Sequence, residues 1–99
     1  MLNQTILVGR ITEIPEIEEL EDKKITKITL AIPRSFKNEN GVYDTDFISC
    51  TLEGKVAENT CEFCQKGDII GVKGRLQSVN NRPEVIAEKV TFLSSNRGE

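Results

Sequence analysis

The sequence predicts an all-β domain with one helix, in which five strands form a small barrel in the order β-β-β-α-β-β. Two observations lead to this prediction. Five segments have the apolar runs or the alternation of strands, and one segment between the third and the fourth has helical spacing. A chain of 99 residues can bury one modest core but is too short for two domains. We therefore expect one domain over residues 1–94 and a short polar end at residues 95–99.

The first two strands are predicted from apolar residues. Residues 5–14, TILVGRITEI, begin as a continuous apolar run. Residues 25–32, ITKITLAI, place Ile28, Leu30 and Ile32 on one face, because side chains alternate along a strand. Residues 37–41, KNENG, are typical of a turn, so we expect them to join the second strand to the third.

The third strand is predicted at residues 43–53, where Ile48, Cys50 and Leu52 share the inward face. The outward face then carries Tyr43, Thr45, Phe47, Ser49, Thr51 and Glu53. Phe47 is thus an aromatic ring on an otherwise polar face.

The helix is predicted at residues 55–67, KVAENTCEFCQKG, because apolar residues recur there at helical spacing. Gly67 is the predicted C-terminal cap. The fourth strand should run from about residue 68 to residue 77 and the fifth from about 85 to 93. This order fits the five-stranded oligonucleotide/oligosaccharide-binding barrel, or OB-fold.

Charge is distributed unevenly along the chain. The net charge is −3, but residues 13–22, EIPEIEELED, hold six acidic residues and no basic one. The rest of the chain has 13 basic and 10 acidic residues, so a locally basic face is compatible with the acidic total. The acidic segment is either a solvated connection or a shield beside a binding groove that could also meet a basic partner.

Several classes of function lack the residues that they need. The chain has no histidine, which removes the commonest general base and metal ligand. Cys61 and Cys64 form a C-x-x-C motif, but no second such pair completes a zinc site, and Cys50 falls on an inward strand face. Core packing explains these thiols best, and redox sensitivity is the alternative. We expect no catalytic residue, no metal and no cofactor.

The predicted compartment is the cytoplasm. The N-terminus lacks the basic-then-apolar pattern of a signal peptide, and three cysteines without such a peptide are best explained as reduced thiols. No apolar run reaches the roughly 18 residues of a membrane span, so no membrane association is expected.

Two phenylalanines are candidates for contact with nucleic-acid bases. Phe47 is predicted to be exposed, and Phe36 lies between the cations Arg34 and Lys37 at a junction of strand and loop. Exposed aromatics stack on unpaired bases, and cations attract phosphates. The same pattern would arise if Phe36 covered the barrel edge and Phe47 packed at a subunit interface.

Several segments resemble the bacterial single-stranded-DNA-binding protein family, in the family's order and at its spacing. They are TILVGRIT, PRSFKNENG, TDFISC, GKVAENTCEFCQKGD, GVKGRLQ and VIAEKVTFL, and they cover roughly residues 2–93. The resemblance implies an OB-fold, usually a homotetramer, that wraps single-stranded DNA through aromatic stacking and basic residues. It implies no enzymatic activity and no small-molecule substrate.

The resemblance also implies roles for particular residues. Phe36 and Phe47 fall on stacking positions of the family, and Lys55 and Lys66 fall on basic positions that contact the DNA backbone. The complete set of predicted DNA-binding residues is Arg34, Phe36, Lys37, Phe47, Lys55, Lys66 and Arg75. The apolar first strand is expected to pair with its two-fold mate, giving a dimer that doubles to a tetramer.

The chain departs from the family's pattern in three places, and the first two lower the expected affinity for DNA. Glu53 stands where the family has an outward aromatic, and residues 77–84 replace a long hairpin that carries a further aromatic and arginines. The chain ends in SSNRGE, where the family continues to an acidic tip that recruits replication and repair enzymes. We therefore expect residues 95–99 to lack the recruiting tail, in either a truncated or a naturally tail-less chain.

The leading hypothesis is a module that binds single-stranded DNA without sequence specificity in DNA replication, recombination or repair. The alternative is a replication adaptor that resembles primosomal replication protein N, a short dimeric OB-fold relative that acts mainly through protein contacts. Glu53, the short connection and the missing tail favour the adaptor, whereas PRSFKNENG and TDFISC favour the DNA-binding form.

Overall fold

The computed structural model describes residues 1–95, and within them it contains six strands and one helix. In chain order they are β1 (Thr5–Ile11), β2 (Glu18–Leu20), β3 (Lys23–Lys37), β4 (Tyr43–Glu53), α1 (Lys55–Phe63), β5 (Ile69–Val79) and β6 (Arg82–Ser94). Residues 96–99 lie outside the described part. They make up most of the short C-terminal end that is predicted to lack a recruiting tail.

Five of the strands close a barrel, as the sequence predicts. The hydrogen-bonded order is β1-β5-β6-β4-β3, and a short pairing of β1 with β3 at Arg10↔Ala31 and Ile11↔Leu30 completes the ring. The pairs are antiparallel except β4 with β6, which run parallel at Cys50↔Val85 and Thr51↔Ile86. This is the OB-fold, and α1 connects β4 to β5.

The core is built from the predicted inward faces. Ile28 and Leu30 of β3 are buried, and so are Cys50 and Leu52 of β4, while Ile48 is half-buried at the end of the core. Thr51 is the exception, because it was predicted to face outward and is 6% exposed. It lies where β4 pairs with β6, and its hydroxyl donates a hydrogen bond to the carboxylate of Glu84.

The acidic segment is more ordered than a plain connection. The first strand ends at Ile11 rather than at residue 14, and the second begins at Lys23 rather than at residue 25. The extra strand β2 pairs with the start of β3 through a tight turn at Glu21 and Asp22, which both have positive φ. Two such residues are the signature of a type I′ hairpin turn. β2 lies outside the ring of five.

The connection between β5 and β6 is equally tight. Asn80 and Asn81 have φ of 52° and 65°, so a two-residue turn joins the two strands. The ladder continues to Val79↔Arg82, so β5 extends two residues beyond the predicted end and β6 begins three residues earlier than expected. The short connection expected at residues 77–84 is therefore mostly strand.

The helix is shorter than predicted. It ends at Phe63, because Cys64 has the extended φ of −111°. Gly67 does not cap the helix; its φ of 94° belongs to the next turn, where its N–H donates to the carbonyl of Ile11 over 2.8 Å. Within residues 1–95 no helix has the length and apolar character needed to cross a bilayer.

Candidate nucleic-acid interface

The hairpin of β3 and β4 exposes three aromatic rings. Phe36 is 62% exposed, Tyr43 53% and Phe47 66%. Tyr43 and Phe47 share the outward face of β4, where four residue steps along the strand place them about 13 Å apart. The turn at residues 38–42 is fixed by Asn38, whose side-chain oxygen accepts from the N–H groups of Asn40 and Val42. The structure therefore holds three rings on one ordered hairpin.

Phe47 lies in a groove of about 790 Å³, here called the Phe47 groove. The ladder of β4 and β6 begins only at Cys50 and Val85, so the earlier residues of the two parallel strands diverge and leave an opening. The groove is lined by Lys27, Phe47, Ile48, Ser49, Leu76, Val79, Asn80, Arg82, Pro83, Glu84 and Val85. It thus combines an exposed ring with two cations.

Lys37 is close to one of the rings. Its ammonium group lies 5.7 Å from the centroid of Tyr43, within the range of a cation–π contact. The register pairs Lys37 directly with Tyr43, which explains their proximity. A strand of nucleic acid at this hairpin would meet a ring and a positive charge together.

Arg34 has an intramolecular partner. Its Nε donates to Oδ2 of Asp46 over 3.1 Å and its Nη2 to Oδ1 over 2.9 Å, and Asp44 lies 3.8 Å from Nη1. Hydrogen bonds and charge in this fork raise the pKa of Arg34 and lower the pKa of Asp46. The guanidinium therefore stays charged, but Asp46 and Asp44 compensate its charge within the protein.

Arg75 is paired in the same manner. It lies on β5 and donates to Glu88 over 3.1 Å and to Gln77 over 3.1 Å. Its charge faces β6 instead of the hairpin that carries the rings. The two predicted arginines are thus the least available of the predicted cations.

Lys55 and Lys66 flank the helix and are exposed. Lys55 is the first residue of α1. Lys66 lies in a separate groove of about 710 Å³, here called the acidic groove, which is lined by Thr12, Glu13, Ile14, Glu16, Ile17, Glu18, Lys27 and Lys66. The structure does not bring Lys55 or Lys66 to the Phe47 groove, but Lys27 lines both grooves.

Four residues of the interface were missing from the predicted set. Tyr43 could have been found, because it has the same position in the alternation as Phe47. Lys27, Leu76 and Arg82 join the Phe47 groove through the divergence of β4 and β6, for which the sequence gives no local signal. Glu53 is exposed, as expected for its place on the outward face.

No disulfide joins the three cysteines, and two of them are buried. Cys50 is 0% and Cys64 5% exposed, whereas Cys61 is intermediate. Burial raises the pKa of the Cys50 thiol to about 11. Among residues 1–95 no group of three or more histidine, cysteine, aspartate or glutamate side chains is arranged to hold a metal ion.

The chain is similar in sequence to known proteins. Residues 2–93 match the model of the single-strand binding protein family. The chain is 42% identical to single-stranded DNA-binding protein B of Bacillus subtilis, over 94% of this chain and 91% of that protein. It is 38% identical to a single-stranded DNA-binding protein of Lactiplantibacillus plantarum, over 96% of this chain but about half, 52%, of that relative.

The fold is also that of a solved structure. The SSB domain of a Synechococcus protein aligns with a TM-score of 0.76 over 93% of this chain and 97% of that domain. The two sequences are 18% identical, so this likeness concerns the barrel alone.

Proposed function

The chain belongs to the single-strand binding protein family, and from this premise we propose that it binds single-stranded DNA without sequence preference. It is a binding protein and not an enzyme, as the family is. The observation that carries the proposal is the exposed ring of Phe47 beside Lys27 and Arg82 in one groove. An unpaired base can stack on the ring while the cations meet the adjacent phosphates.

The aromatic hairpin supplies the attraction for bases. Stacking of a base on Phe36, Tyr43 or Phe47 does not depend on which base it is, because every base has a π-face. The rings lie on two paired strands with an ordered turn, so the protein backbone loses little conformational entropy when DNA binds. Duplex DNA keeps its bases paired and cannot use these rings.

The lysines supply the attraction for phosphates. Lys37, Lys55 and Lys66 are exposed, and Lys27 and Arg82 add to them at the Phe47 groove. Arg34 and Arg75 belong to the proposed site with smaller contributions, since a phosphate would have to compete with Asp46 and Glu88 for them. Bound phosphates release counterions, so affinity is expected to fall as salt rises.

Assembly is part of the proposal. Ile6 is 69% and Val8 52% exposed on the outward face of β1. Within the described residues, β1 pairs with β3 only at Arg10 and Ile11, which leaves one edge of residues 5–9 without a neighbouring strand. An apolar open edge favours pairing with a second copy, so we propose a dimer that doubles to a tetramer. Light scattering that gives a monomer at micromolar concentration would contradict this.

The biological setting is proposed on the same basis. We infer that residues 1–94 act as a DNA-binding domain in the replication, recombination or repair of DNA in the cytoplasm. Because the chain spans about half the length of the Lactiplantibacillus relative, the activities of that longer protein are not carried over to this chain.

A replication adaptor is the second candidate. The ion pairs of Arg34 with Asp46 and of Arg75 with Glu88 favour it, because they leave these arginines less available to phosphates. The carboxylate of Glu53 on the proposed DNA face also favours it. An adaptor of this kind would be a dimer that needs a protein partner to meet DNA.

Titration of fluorescently labelled oligo(dT) and of a duplex of equal length, each at low and at physiological salt, tests the proposed function. We expect oligo(dT) to bind more tightly than the duplex and more weakly as salt rises. Equal affinities for the two ligands would overturn the stacking mechanism. Negligible affinity for both, from a stable dimer, would favour the adaptor.

A further inference from the structure

The acidic groove places carboxylates opposite two cations of the proposed DNA site. Glu13, Glu16 and Glu18 line the groove together with Lys27 and Lys66. Neither lysine forms an ion pair within 4.0 Å of a carboxylate in the part of the chain that the structure describes. The groove is open, and its lysines are exposed. The carboxylates thus affect the lysines through the local potential and do not cover them.

The acidic segment is held in place beside these lysines. Pro15 is buried, and the hydroxyl of Thr26 donates to the carbonyl of Glu16 over 2.6 Å. Beyond this anchor, Glu18 pairs with Ile25 on the neighbouring strand. A phosphate that enters the groove therefore meets negative side chains whose backbone is held beside the lysines by the anchor and the ladder.

Lys27 connects this groove to the stacking site. It lines the Phe47 groove on one side and the acidic groove on the other. On β3 it stands opposite Thr51, on the outward face that carries Phe47. The carboxylates of the acidic groove therefore act on a cation that a strand stacked on Phe47 would use.

We propose that Glu13, Glu16 and Glu18 determine specificity by competing with ligand phosphates for Lys27 and Lys66. This inference rests on the proposed function. A ligand that offers only phosphates, such as duplex DNA, is repelled from these lysines and gains nothing in return. A single strand carries about half as many phosphates per unit length, so it meets a weaker repulsion, and it also gains base stacking on Phe47. The carboxylates thus widen the difference in affinity between single-stranded and duplex DNA.

The test compares two triple variants with the same change in net charge. Glu13→Gln/Glu16→Gln/Glu18→Gln neutralises the acidic groove. Glu19→Gln/Glu21→Gln/Glu62→Gln is the matched control, because its three exposed carboxylates do not line that groove. Circular dichroism and thermal melting first establish that both variants keep the fold. Affinity for labelled oligo(dT) and for a duplex of equal length is then measured over a range of salt concentrations.

The groove variant should bind the duplex about tenfold more tightly at low salt and oligo(dT) about threefold more tightly, since three repulsive charges are removed near two cations. The control should change both affinities by about twofold or less, because its charges do not line the groove and are screened by salt. The oligo(dT) affinity of the groove variant should also fall more steeply with salt. The slope of log affinity against log salt concentration should steepen by about 0.7 for each lysine that gains a phosphate contact.

Lys27→Gln/Lys66→Gln in the background of the groove variant tests whether the gain passes through these lysines. The gain should disappear in this background; a gain that persists would overturn the proposed competition. If the wild type and all variants bind neither ligand, the proposed function is overturned and this inference with it. If all bind oligo(dT) and the groove variant matches the control, this inference alone is overturned.

Discussion

The two faces of β4 have opposite environments, although their residues alternate along one strand. Leu52 and Cys50 on the inward face are 0% exposed, whereas Phe47 on the outward face is 66% exposed. An apolar side chain on the inward face is held by the barrel core, but the ring of Phe47 gains no comparable burial. The comparison teaches that stability and binding should be separable by substitutions a few residues apart.

The largest expected effect is on the inward face. Leu52→Ala should lower the free energy of unfolding by about 2 to 5 kcal/mol, because it leaves a cavity in a closed core. Urea denaturation measures this, and oligo(dT) affinity should stay the same under conditions where the variant is folded. Leu20→Ala, on the 56%-exposed Leu20 of β2, is the control and should cost far less. Similar losses for the two variants would break the comparison.

The inward face should also give stability a pH dependence through Cys50. The pKa of this thiol is about 11 in the folded protein against 9.0 ordinarily, so between pH 9 and 11 the unfolded chain loses the proton first. This thiol contributes up to about 2 to 3 kcal/mol to the free energy of unfolding. The contribution is fully present below pH 9 and is lost as the pH rises through 11. The difference in unfolding free energy between wild type and Cys50→Ala should shrink over this range. A difference that is constant from pH 8 to 11 would contradict the prediction.

On the outward face, Phe47→Ala should weaken binding without unfolding the barrel. The expected loss in oligo(dT) affinity is about 1 to 3 kcal/mol, the range for one lost base stack. Phe36→Ala should behave similarly. Phe63→Ala is a matched control, since Phe63 is 64% exposed but lies on α1 outside the Phe47 groove. A lower melting temperature or a split oligomer in Phe47→Ala, with affinity changing only in step, would instead make this face a structural interface.

Glu53→Trp should strengthen binding, because a ring that can stack replaces a carboxylate that repels phosphate. The expected gain in oligo(dT) affinity is about 1 kcal/mol. Glu53→Gln separates the two causes, since it removes the charge without adding a ring, and it should give a smaller gain. If neither variant binds more tightly while Phe47→Ala shows no loss, the outward face of β4 is not the DNA site.

The contrast between the faces of β4 could be predicted from the sequence because it depends on local alternation. The bounds of this strand, the buried Cys50 and Leu52 and the exposed Phe47 all follow from the period of two. The burial of Thr51 does not follow from this alternation, because it is caused by pairing with β6, which is distant in the sequence.

The rest of the interface depends on how strands meet. The pairing of Arg34 with Asp46 requires the register of β3 and β4, in which Ile32 rather than Arg34 is the direct partner of Asp46. The three-residue strand β2 is acidic and exposed, so no apolar alternation marks it. Lys27 lines two grooves only because β4 and β6 diverge ahead of Cys50. None of these features has a signal within a short window of sequence.

The smallest expected effect concerns Lys55, two residues beyond the end of β4. It is the first residue of α1, and a positive charge there opposes the helix dipole by about 0.3 to 1 kcal/mol. Helix stability therefore does not explain this lysine, whereas the proposed phosphate contact would. Lys55→Ala should leave the free energy of unfolding unchanged or slightly higher. It should weaken oligo(dT) binding by less than about 1 kcal/mol and flatten the logarithmic salt dependence by about 0.7, the value for one lost phosphate contact.

Lys55→Arg keeps the charge and should retain the wild-type slope. If Lys55→Ala instead destabilises the protein and leaves the slope unchanged, the lysine has a structural role, and the DNA site does not extend from the outward face of β4 to the start of the helix.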